Sequence, residues 1–233
     1  MTESDLRDSP PPLLVIERVG LGSAFVPYRT AWDLQRDIHA EVVAGSRPQT
    51  ALLLEHAPVF TAGRRTSPSD LPTDASTVIE VDRGGRITWH GPGQLVCYPI
   101  VALPQPFDVV AHVRRLEEVA IRTCRDFGIE TTRVPGRSGV WCSPPENSDR
   151  KIAAVGIRVA RGVTMHGIAL NVTCDLDWAQ RIVPCGITDA QVTSMTAELS
   201  MPVELLAVAD VFEQHLRAVL EPTLSLVRPR SLA

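Results

Sequence analysis

The fold is decided by residues Lys151–Thr173, KIAAVGIRVARGVTMHGIALNVT. Two apolar runs, Ile152–Ala160 and Val163–Val172, flank a two-residue Arg-Gly turn, and this pattern predicts a long β-hairpin. Gly156 and Gly167 interrupt the runs, and a glycine inside a strand often marks a bulge or the close approach of a ligand. The stretch therefore predicts two long antiparallel strands that leave space beside them.

The rest of the chain adds shorter strands and three helices. Strands are predicted at Leu13–Val19 (an edge strand), Ala51–Glu55, Val59–Thr61, Val78–Val81 and Leu95–Val101, although Pro99 weakens the last of these. Helices are predicted at Tyr28–Val43, at Val109–Phe127 after an N-cap at Asp108, and at Pro202–Leu220. The order shows no regular βαβ alternation, which favours an α+β fold with helices packed on a mixed or antiparallel sheet.

The length and charge of the chain narrow its class. We expect one domain over residues 13–221, with a flexible N-terminal segment at 1–12 and a C-terminal tail at 222–233. The net charge is −4 and no run of basic residues stands out, which argues against nucleic acid or an anionic membrane as a partner. Neither a signal peptide nor a membrane-spanning run is visible, so a cytoplasmic location is expected.

The five cysteines indicate free thiols. They are odd in number and none forms a C-x-x-C pair, so neither a structural zinc site nor a thioredoxin-like motif is expected, and no metal or cofactor is predicted. Cys185 lies between Pro184 and Gly186, on a turn rather than in a packed strand. It is the candidate nucleophile, and the alternative is a small buried thiol. Cys174 is a weaker rival, whereas Cys97, Cys124 and Cys142 have apolar or helical settings.

Lys151 is the second candidate. Lysine and arginine total 23, of which Lys151 alone is lysine, leaving 22 arginines. Arginine stays protonated, whereas a lysine can be tuned, so a single lysine either sets a pKa and moves protons or is an accidental surface residue. An ammonium about 4 Å from a thiol favours the thiolate by roughly 4 kcal/mol at an effective dielectric near 20, before desolvation. Because 34 positions separate Lys151 from Cys185, the sequence alone does not bring them together.

Two further segments permit two interpretations each. Arg83–Gln94, RGGRITWHGPGQ, holds four glycines in twelve residues, and it predicts either a tight turn region or a ligand-binding loop with free N–H donors. His166 lies among apolar residues, where a histidine is more often a hydrogen-bonded core residue than a catalytic base.

Four motifs in order resemble the lipoyl(octanoyl) transferases, the protein N-octanoyltransferases of lipoate biosynthesis. They are R-G-G-x-x-T-[YW]-H-G-P-G-Q at Arg83–Gln94, K-I-x-x-x-G-[IV]-[RK] at Lys151–Arg158, H-G-x-A-L-N at His166–Asn171 and P-C-G-[IL] at Pro184–Ile187. Thr61–Arg64 also resembles the family's T-x-G-R. Two features depart from the family: Trp89 stands where tyrosine is common, and the Ser143–Arg150 loop is long.

The resemblance implies a single domain of the biotin/lipoate protein ligase type and no cofactor. It implies transfer of octanoyl from octanoyl-acyl carrier protein to a lysine of the lipoyl domains of 2-oxo acid dehydrogenase complexes and of the glycine cleavage H protein. Cys185 would carry the acyl thioester and Lys151 would lower its pKa. Backbone N–H groups of the glycine-rich turns would stabilise the oxyanion. The implied acyl pocket comprises Arg83, Gly84, Gly85, Arg86, Ile87, Thr88, Trp89, His90, Ala154, Val155, Gly156, Gly167, Ile168 and Ala169.

Three other functions fit parts of the pattern. An ATP-dependent lipoate–protein ligase would share the fold and the lysine, but an adenylate route needs no nucleophilic thiol. A cysteine hydrolase would use His90 or His166 as its base. A carrier would bind fatty acyl groups without any chemistry. Product analysis with and without ATP and an acceptor domain separates these alternatives.

Overall fold

A computed structural model describes residues 12–74, 76–143, 149–182 and 191–227. The segment 183–190, which holds Cys185, and residues 144–148 of the long loop lie outside the described residues. The elements are, in chain order, β1 (Val15–Arg18), α1 (Tyr28–Ala44), β2 (Thr50–Leu54), β3 (Val59–Ala62), β4 (Val78–Glu80), β5 (Thr88–His90), β6 (Gln94–Ile100), α2 (Val109–Asp126), β7 (Thr132–Val134), β8 (Arg137–Cys142), β9 (Arg150–Ala160), β10 (Val163–Asn171), β11 (Gln191–Val192), α3 (Met195–Leu199) and α4 (Leu205–Leu224).

The predicted hairpin is confirmed. β9 and β10 pair without interruption from Val163 opposite Ala160 to Leu170 opposite Ala153. They form the middle of the larger sheet, whose order over the described residues is β1-β2-β6-β10-β9-β8-β7, with β11 added beside β9. β1–β2 and β9–β11 are parallel and the other pairs are antiparallel, so the sheet is mixed as predicted. A smaller sheet has the order β4-β3-β5.

Helices cover both faces of the larger sheet. The two faces of β2 show this, because Leu52 and Leu54 pack with Ile38 of α1, whereas Leu53 packs with Leu116 of α2 and the apolar side of α4. A strand that is buried on both faces has to be apolar at every position, which explains the uninterrupted runs of β2 and β6. The predicted α+β architecture is therefore an α/β/α layering in which the hairpin is central.

The ladder between β6 and β10 opens at Pro99, the residue that weakened the strand prediction. Pro99 lies opposite His166, between the paired residues Cys97–Ile168 and Ala102–Val163. Proline has no N–H for the ladder, so the partner strand is free to depart from regular β geometry there. The His166 N–H instead donates to Oε1 of Gln35 on α1 at 2.8 Å, and the residue takes φ +57°. This opening turns His166 away from an ordinary strand position.

The helix predictions hold in outline and differ at the ends. Asp108 caps α2 as predicted, since its Oδ1 accepts the Ala111 N–H at 2.8 Å. Val109, the first residue of α2, is 41% exposed, whereas the buried residues of the helix begin at His112. The C-terminal helix runs to Leu224 instead of Leu220, and Leu224 is buried.

Candidate functional site

A cavity of about 290 Å³ lies against the central hairpin. Its walls come from β5, β6, β9, β10, the start of α1, and the loops around Arg83 and Gly136. Twelve of the residues named from the sequence line it: Arg83, Gly85, Arg86, Thr88, His90, Lys151, Ala154, Val155, Gly156, Gly167, Ile168 and Ala169. Their placement around one cavity follows from the fold, and their contact with an acyl chain stays a prediction.

Ile87 and Trp89 do not line this cavity, which corrects their assignment to the implied acyl pocket. Side chains alternate along β5, so Thr88 and His90 face the cavity while Trp89 faces the opposite side. Trp89 stacks on Trp178 with ring centroids 6.0 Å apart and planes 14° apart. It borders a second, smaller cavity of about 40 Å³. Ile87 is fully buried in the same apolar cluster.

Gly84 also lies outside the cavity lining, because it belongs to the exposed outer turn of the glycine-rich loop. Its N–H donates to the Ile157 carbonyl at 2.9 Å, and the N–H of Gly93 donates to Oε1 of Glu55 at 2.7 Å. These two glycine N–H groups were candidates for an oxyanion site. Both are engaged in holding the loop, so they are not available for that role in this structure.

The loop is held from inside by the buried guanidinium of Arg83. Its Nη2 donates to the carbonyl and the hydroxyl of Thr61 at 2.7 and 2.8 Å, and its Nη1 donates to the carbonyls of Gly84 and Arg86 at 3.0 and 2.8 Å. A Cβ on Gly156 would meet Cδ of Arg83 at 3.0 Å. Gly156 is therefore needed to admit the loop, and the sequence had assigned that space to an acyl chain.

Gly167 has a different reason to be glycine. A Cβ there would lie 2.1 Å from the carbonyl oxygen of Cys97 on β6 and 2.8 Å from Cδ of Pro99. The close approach that the sequence indicated is that of a neighbouring strand, and any side chain at this position would enter β6. A larger side chain at this position would therefore point into the sheet and not into the cavity.

We expect Gly167→Ala to lower the free energy of unfolding by about 2 kcal/mol or more, because a backbone carbonyl cannot move aside cheaply. Gly84→Ala is the matched control, since its Cβ would meet only the Ile157 carbonyl at an ordinary 3.5 Å. That variant should unfold within about 0.5 kcal/mol of the parent. Urea unfolding followed by circular dichroism measures both, and equal midpoints for the two variants would contradict this account.

Lys151 is buried, with 6% of its surface exposed, and it borders both cavities. Its strand position is fixed on two sides: Trp141 of β8 and Val192 of β11 are its paired residues. The Thr193 N–H donates to the Lys151 carbonyl at 2.9 Å. The Lys151 Nζ lies 4.5 Å from the centroid of the Trp141 ring, within range of a cation–π interaction. The sequence placed this amine at a sheet edge or in a cleft, and the structure places it in the cleft.

His90 is held as a neutral acceptor at the cavity wall. Its Nδ1 donates to Oε1 of Gln94 at 2.7 Å, and Nε2 of Gln94 donates to Oδ1 of Asn171 at 2.9 Å, which fixes the amide orientation. Nδ2 of Asn171 in turn donates to the Thr193 carbonyl at 2.9 Å. Burial holds the pKa of His90 well below its usual value, with His56 contributing. The Nε2 lone pair of His90 is thereby left for the cavity.

His166 lines the cavity as well, and it is fully paired. Its Nε2 donates to Oδ1 of Asp82 at 2.9 Å, and its Nδ1 accepts the Tyr28 hydroxyl at 3.3 Å. Burial lowers the pKa of His166, and Asp82 only partly opposes this shift. Arg158 forms an ion pair with the same carboxylate. The interpretation of His166 as a hydrogen-bonded core residue fits these contacts better than that of a free base.

Sequence reasoning missed the aromatic end of the cavity. Tyr28 and Tyr98 line it, and behind them Nε2 of His56 accepts the Tyr98 hydroxyl at 2.7 Å. Burial raises the pKa of Tyr28 to about 12 and lowers that of His56 to about 4, so both are neutral near pH 7. Tyr28 and His56 are 28 positions apart and belong to no common motif. Only the tertiary contact of α1 with the sheet joins them.

The four cysteines of the described residues are buried and unreactive in character. Burial raises the pKa of Cys124, Cys142 and Cys174 to about 12, and it raises that of Cys97 further. The predictions that Cys97, Cys124 and Cys142 are inert agree with these settings. Cys174, the weaker rival, is no better placed, although it borders the smaller cavity with Lys151.

Residues 27–217 match the family described as Lipoyl protein ligase A/B catalytic domain. The chain is 51% identical to an octanoyltransferase of Streptomyces griseus, over 88% of this chain and 89% of that protein. It is 54% identical to an octanoyltransferase of Salinispora tropica, over 91% and 98% of the two chains. An octanoyltransferase of Thermobifida fusca is 58% identical, over 86% and 87%.

Solved structures of lipoate–protein ligases share the fold at low sequence identity. A bipartite lipoate protein ligase from Thermoplasma acidophilum superposes with a TM-score of 0.63 at 15% identity, over 95% of this chain and 98% of that one. A lipoate-protein ligase A crystallised with ATP gives 0.62 at 14% identity, over 90% and 85%. The predicted fold of the lipoate ligase type is confirmed.

The chain belongs to the lipoyl protein ligase A/B catalytic domain family, and it is an acyltransferase. The family resemblance drawn from the four motifs is thus confirmed. Among the helices that the structure describes, none has the length and apolar character of a membrane span. The described residues also contain no group of three or more His, Cys, Asp or Glu side chains placed to bind a metal ion.

Proposed function

We propose that this protein transfers an octanoyl group from octanoyl-acyl carrier protein to a lysine of lipoyl domains, through a thioester on Cys185. The acceptors would be the lipoyl domains of 2-oxo acid dehydrogenase complexes and the glycine cleavage H protein. This reaction would be the first step of lipoate biosynthesis and protein lipoylation. Octanoyltransferase relatives at 51–58% identity over most of the chain support the proposal.

The observation that carries the mechanism is the position of Lys151. Its side chain and Ile182 border the same small cavity, and Ile182 is three residues before Cys185. Three residues span at most about 11 Å, so the chain keeps Cys185 within that distance of Ile182, measured between Cα atoms. We therefore propose that the Cys185 thiol lies beside Lys151, although 34 positions separate the two residues in the sequence. A Lys151 ammonium next to the thiol would raise the thiolate fraction.

In the first half-reaction the Cys185 thiolate attacks the carbonyl carbon of the donor thioester. The bond from that carbon to the phosphopantetheine sulfur breaks, and the carrier leaves as a thiolate that takes up a proton. The octanoyl group is then held on Cys185, and the number of thioester bonds is unchanged. The exchange is close to neutral in free energy, so it needs no ATP.

In the second half-reaction the neutral amine of the acceptor lysine attacks the octanoyl-Cys185 carbonyl. An amide bond forms, the carbon–sulfur bond breaks, and the amine gives up one proton as Cys185 is released. We assign the shuttle of this proton to Lys151, which borders both cavities. Conversion of a thioester to an amide runs downhill, which drives the overall transfer.

The cavity suits a short acyl chain. Its volume of about 290 Å³ lies at the lower limit of ligand cavities, which favours a medium-length chain over a long fatty acyl group. Ala154, Ile168 and Ala169 supply apolar surface on the hairpin. The arginines Arg65, Arg86 and Arg137 also line it, and they suit the anionic phosphopantetheine arm of the donor.

Intact-mass spectrometry after incubation with octanoyl-acyl carrier protein tests this function. We expect one octanoyl group on the protein without ATP, and its disappearance when a lipoyl domain is added and gains the same mass. A requirement for ATP with free octanoate would instead show a ligase. Release of free octanoate without an acceptor would show a hydrolase, and binding without any covalent change would show a carrier.

A further inference from the structure

The pairing of β8 with β9 is irregular next to Lys151, where β9 holds one extra residue, Ile152. The register changes between Val140 and Trp141 of β8. Gly139, just before this change, has φ +105°, a conformation that favours glycine. A Cβ on Gly139 would lie 2.4 Å from the Ala153 carbonyl oxygen and 3.4 Å from Cε of Lys151. The backbone of β8 therefore passes directly against the stem of the Lys151 side chain.

A buried carboxylate holds this irregularity from the α2 side. Glu117 is completely buried, and its Oε1 accepts the Gly139 N–H at 2.9 Å. Its Oε2 accepts hydrogen bonds from Arg114 at 2.7 Å and Arg133 at 3.1 Å, so its charge is balanced by two partly exposed guanidinium groups. A buried acid that binds a strand N–H is costly to place there unless its partners are fixed. Glu117 thus links α2 to Gly139, the β8 residue whose backbone lies against the Lys151 side chain.

The register change places the Trp141 ring under the Lys151 amine. Trp141 is 1% exposed, and its centroid lies 4.5 Å from Nζ. An aromatic face at this distance attracts an ammonium, and the attraction is larger in a desolvated site.

We infer that Glu117 and Trp141 are positioning residues for Lys151, acting through the irregular pairing of β8 with β9. Glu117 fixes Gly139, and the strand beyond Gly139 presents the Trp141 ring to the Lys151 ammonium. The face of the ring helps to hold the Lys151 amine at this position. This inference rests on the proposed function of Lys151, and it assigns roles to two residues that do not line the larger cavity.

Trp141→Leu and Trp141→Phe test the ring, with iodoacetamide alkylation of Cys185 against pH as the readout. For Trp141→Leu we expect about tenfold slower octanoyl-Cys185 formation at pH 7 and an alkylation midpoint raised by about half a pH unit or more. KM for the donor should stay within about twofold. Trp141→Phe keeps an aromatic face, so it should recover most of the rate and the wild-type midpoint.

Glu117→Gln tests whether the Glu117 carboxylate fixes Gly139, with Glu118→Gln as the matched control. Glu118 is the next residue on α2 and also binds Arg133, at 2.8 Å, but its second partner is Arg122 of α2 and not the backbone of β8. Glu117→Gln should raise the alkylation midpoint and slow acyl transfer by about five- to tenfold, while Glu118→Gln should match the parent in both. Thermal unfolding of every variant shows whether it folds. If Glu117→Gln does not fold, the comparison of Trp141→Leu with Trp141→Phe tests the inference.

An unchanged alkylation midpoint in folded Trp141→Leu would overturn the inference. An equal fall in the rate of octanoyl-Cys185 formation in Trp141→Leu and Trp141→Phe would overturn it too, and Trp141 would then be a core residue only. A change confined to the KM for the donor would also overturn the inference. The wild-type protein separates this outcome from failure of the proposed function. If wild type forms no octanoyl-Cys185, the proposed function fails first; if it does and the variants behave as wild type, only the positioning role fails.

Discussion

Cys185→Ser is expected to abolish the octanoyl adduct and to lower octanoyl transfer at least about a thousandfold. A serine hydroxyl is a far weaker nucleophile than a thiolate at neutral pH, and an ammonium neighbour cannot ionise it. The variant should fold like the parent, because the exchange of sulfur for oxygen changes little volume. Intact mass, circular dichroism and a lipoyl-domain transfer assay measure the three properties.

Peptide mapping of the wild-type adduct supplies the control. The thiols of Cys97, Cys124, Cys142 and Cys174 are buried with raised pKa values, so none should carry octanoyl. Cys174→Ser is the matched variant, since Cys174 borders the cavity that Lys151 also borders. It should keep most of the activity. An acyl group mapped to any of these four residues would contradict the assignment of Cys185.

Lys151→Arg is expected to lose amide formation by about a hundredfold while it keeps part of the reactivity toward iodoacetamide. Arginine preserves the positive charge that favours a thiolate, but it cannot release and recover a proton at neutral pH. General acid–base assistance of this kind contributes about a hundredfold or more. The guanidinium is also wider than the ammonium, in a site where the Lys151 stem already lies against Gly139.

Lys151→Ala is the companion variant, and it should lose both alkylation at neutral pH and transfer. Single-turnover assays of octanoyl-Cys185 with a lipoyl domain isolate the second half-reaction from the first. If Lys151→Arg transferred octanoyl at a rate near that of wild type, Lys151 would act only as a fixed charge. Its proposed shuttle of the acceptor's proton would then be wrong.

The hairpin and the glycine-rich loop could be predicted because their signals are local. Uninterrupted β propensity around an Arg-Gly turn leaves few alternatives to β9 and β10, and the four glycines of Arg83–Gln94 indicate a close approach of backbone there. The large shared lining of the cavity follows from these two facts. β5, β7, β8 and β11 were not predicted. β5, β7 and β11 have only two or three residues each, and β8 is defined by its pairing with β7 and β9.

The incorrect predictions at the site concern contacts between elements that are distant in the sequence. Gly156 and Gly167 were correctly singled out, but the sequence cannot tell a ligand from a neighbouring strand or loop as the group that approaches a glycine. The structure shows Arg83 against Gly156 and the Cys97 carbonyl against Gly167. Tyr28 reaches the cavity only because α1 packs on the sheet next to β10. No spacing rule relates such a residue to the motifs.

The burial of Lys151 has a consequence for self-modification. It is the one lysine of the sequence, and it is 6% exposed, so the surface presents arginines and no ε-amine. Guanidinium groups do not accept acyl groups at neutral pH, because they remain protonated. Under the proposed function, an acyl group activated for a lysine of another protein would therefore meet no exposed lysine on neighbouring copies of this chain. The preference for arginine over lysine would then protect the chain from acylating itself, in addition to setting its charge.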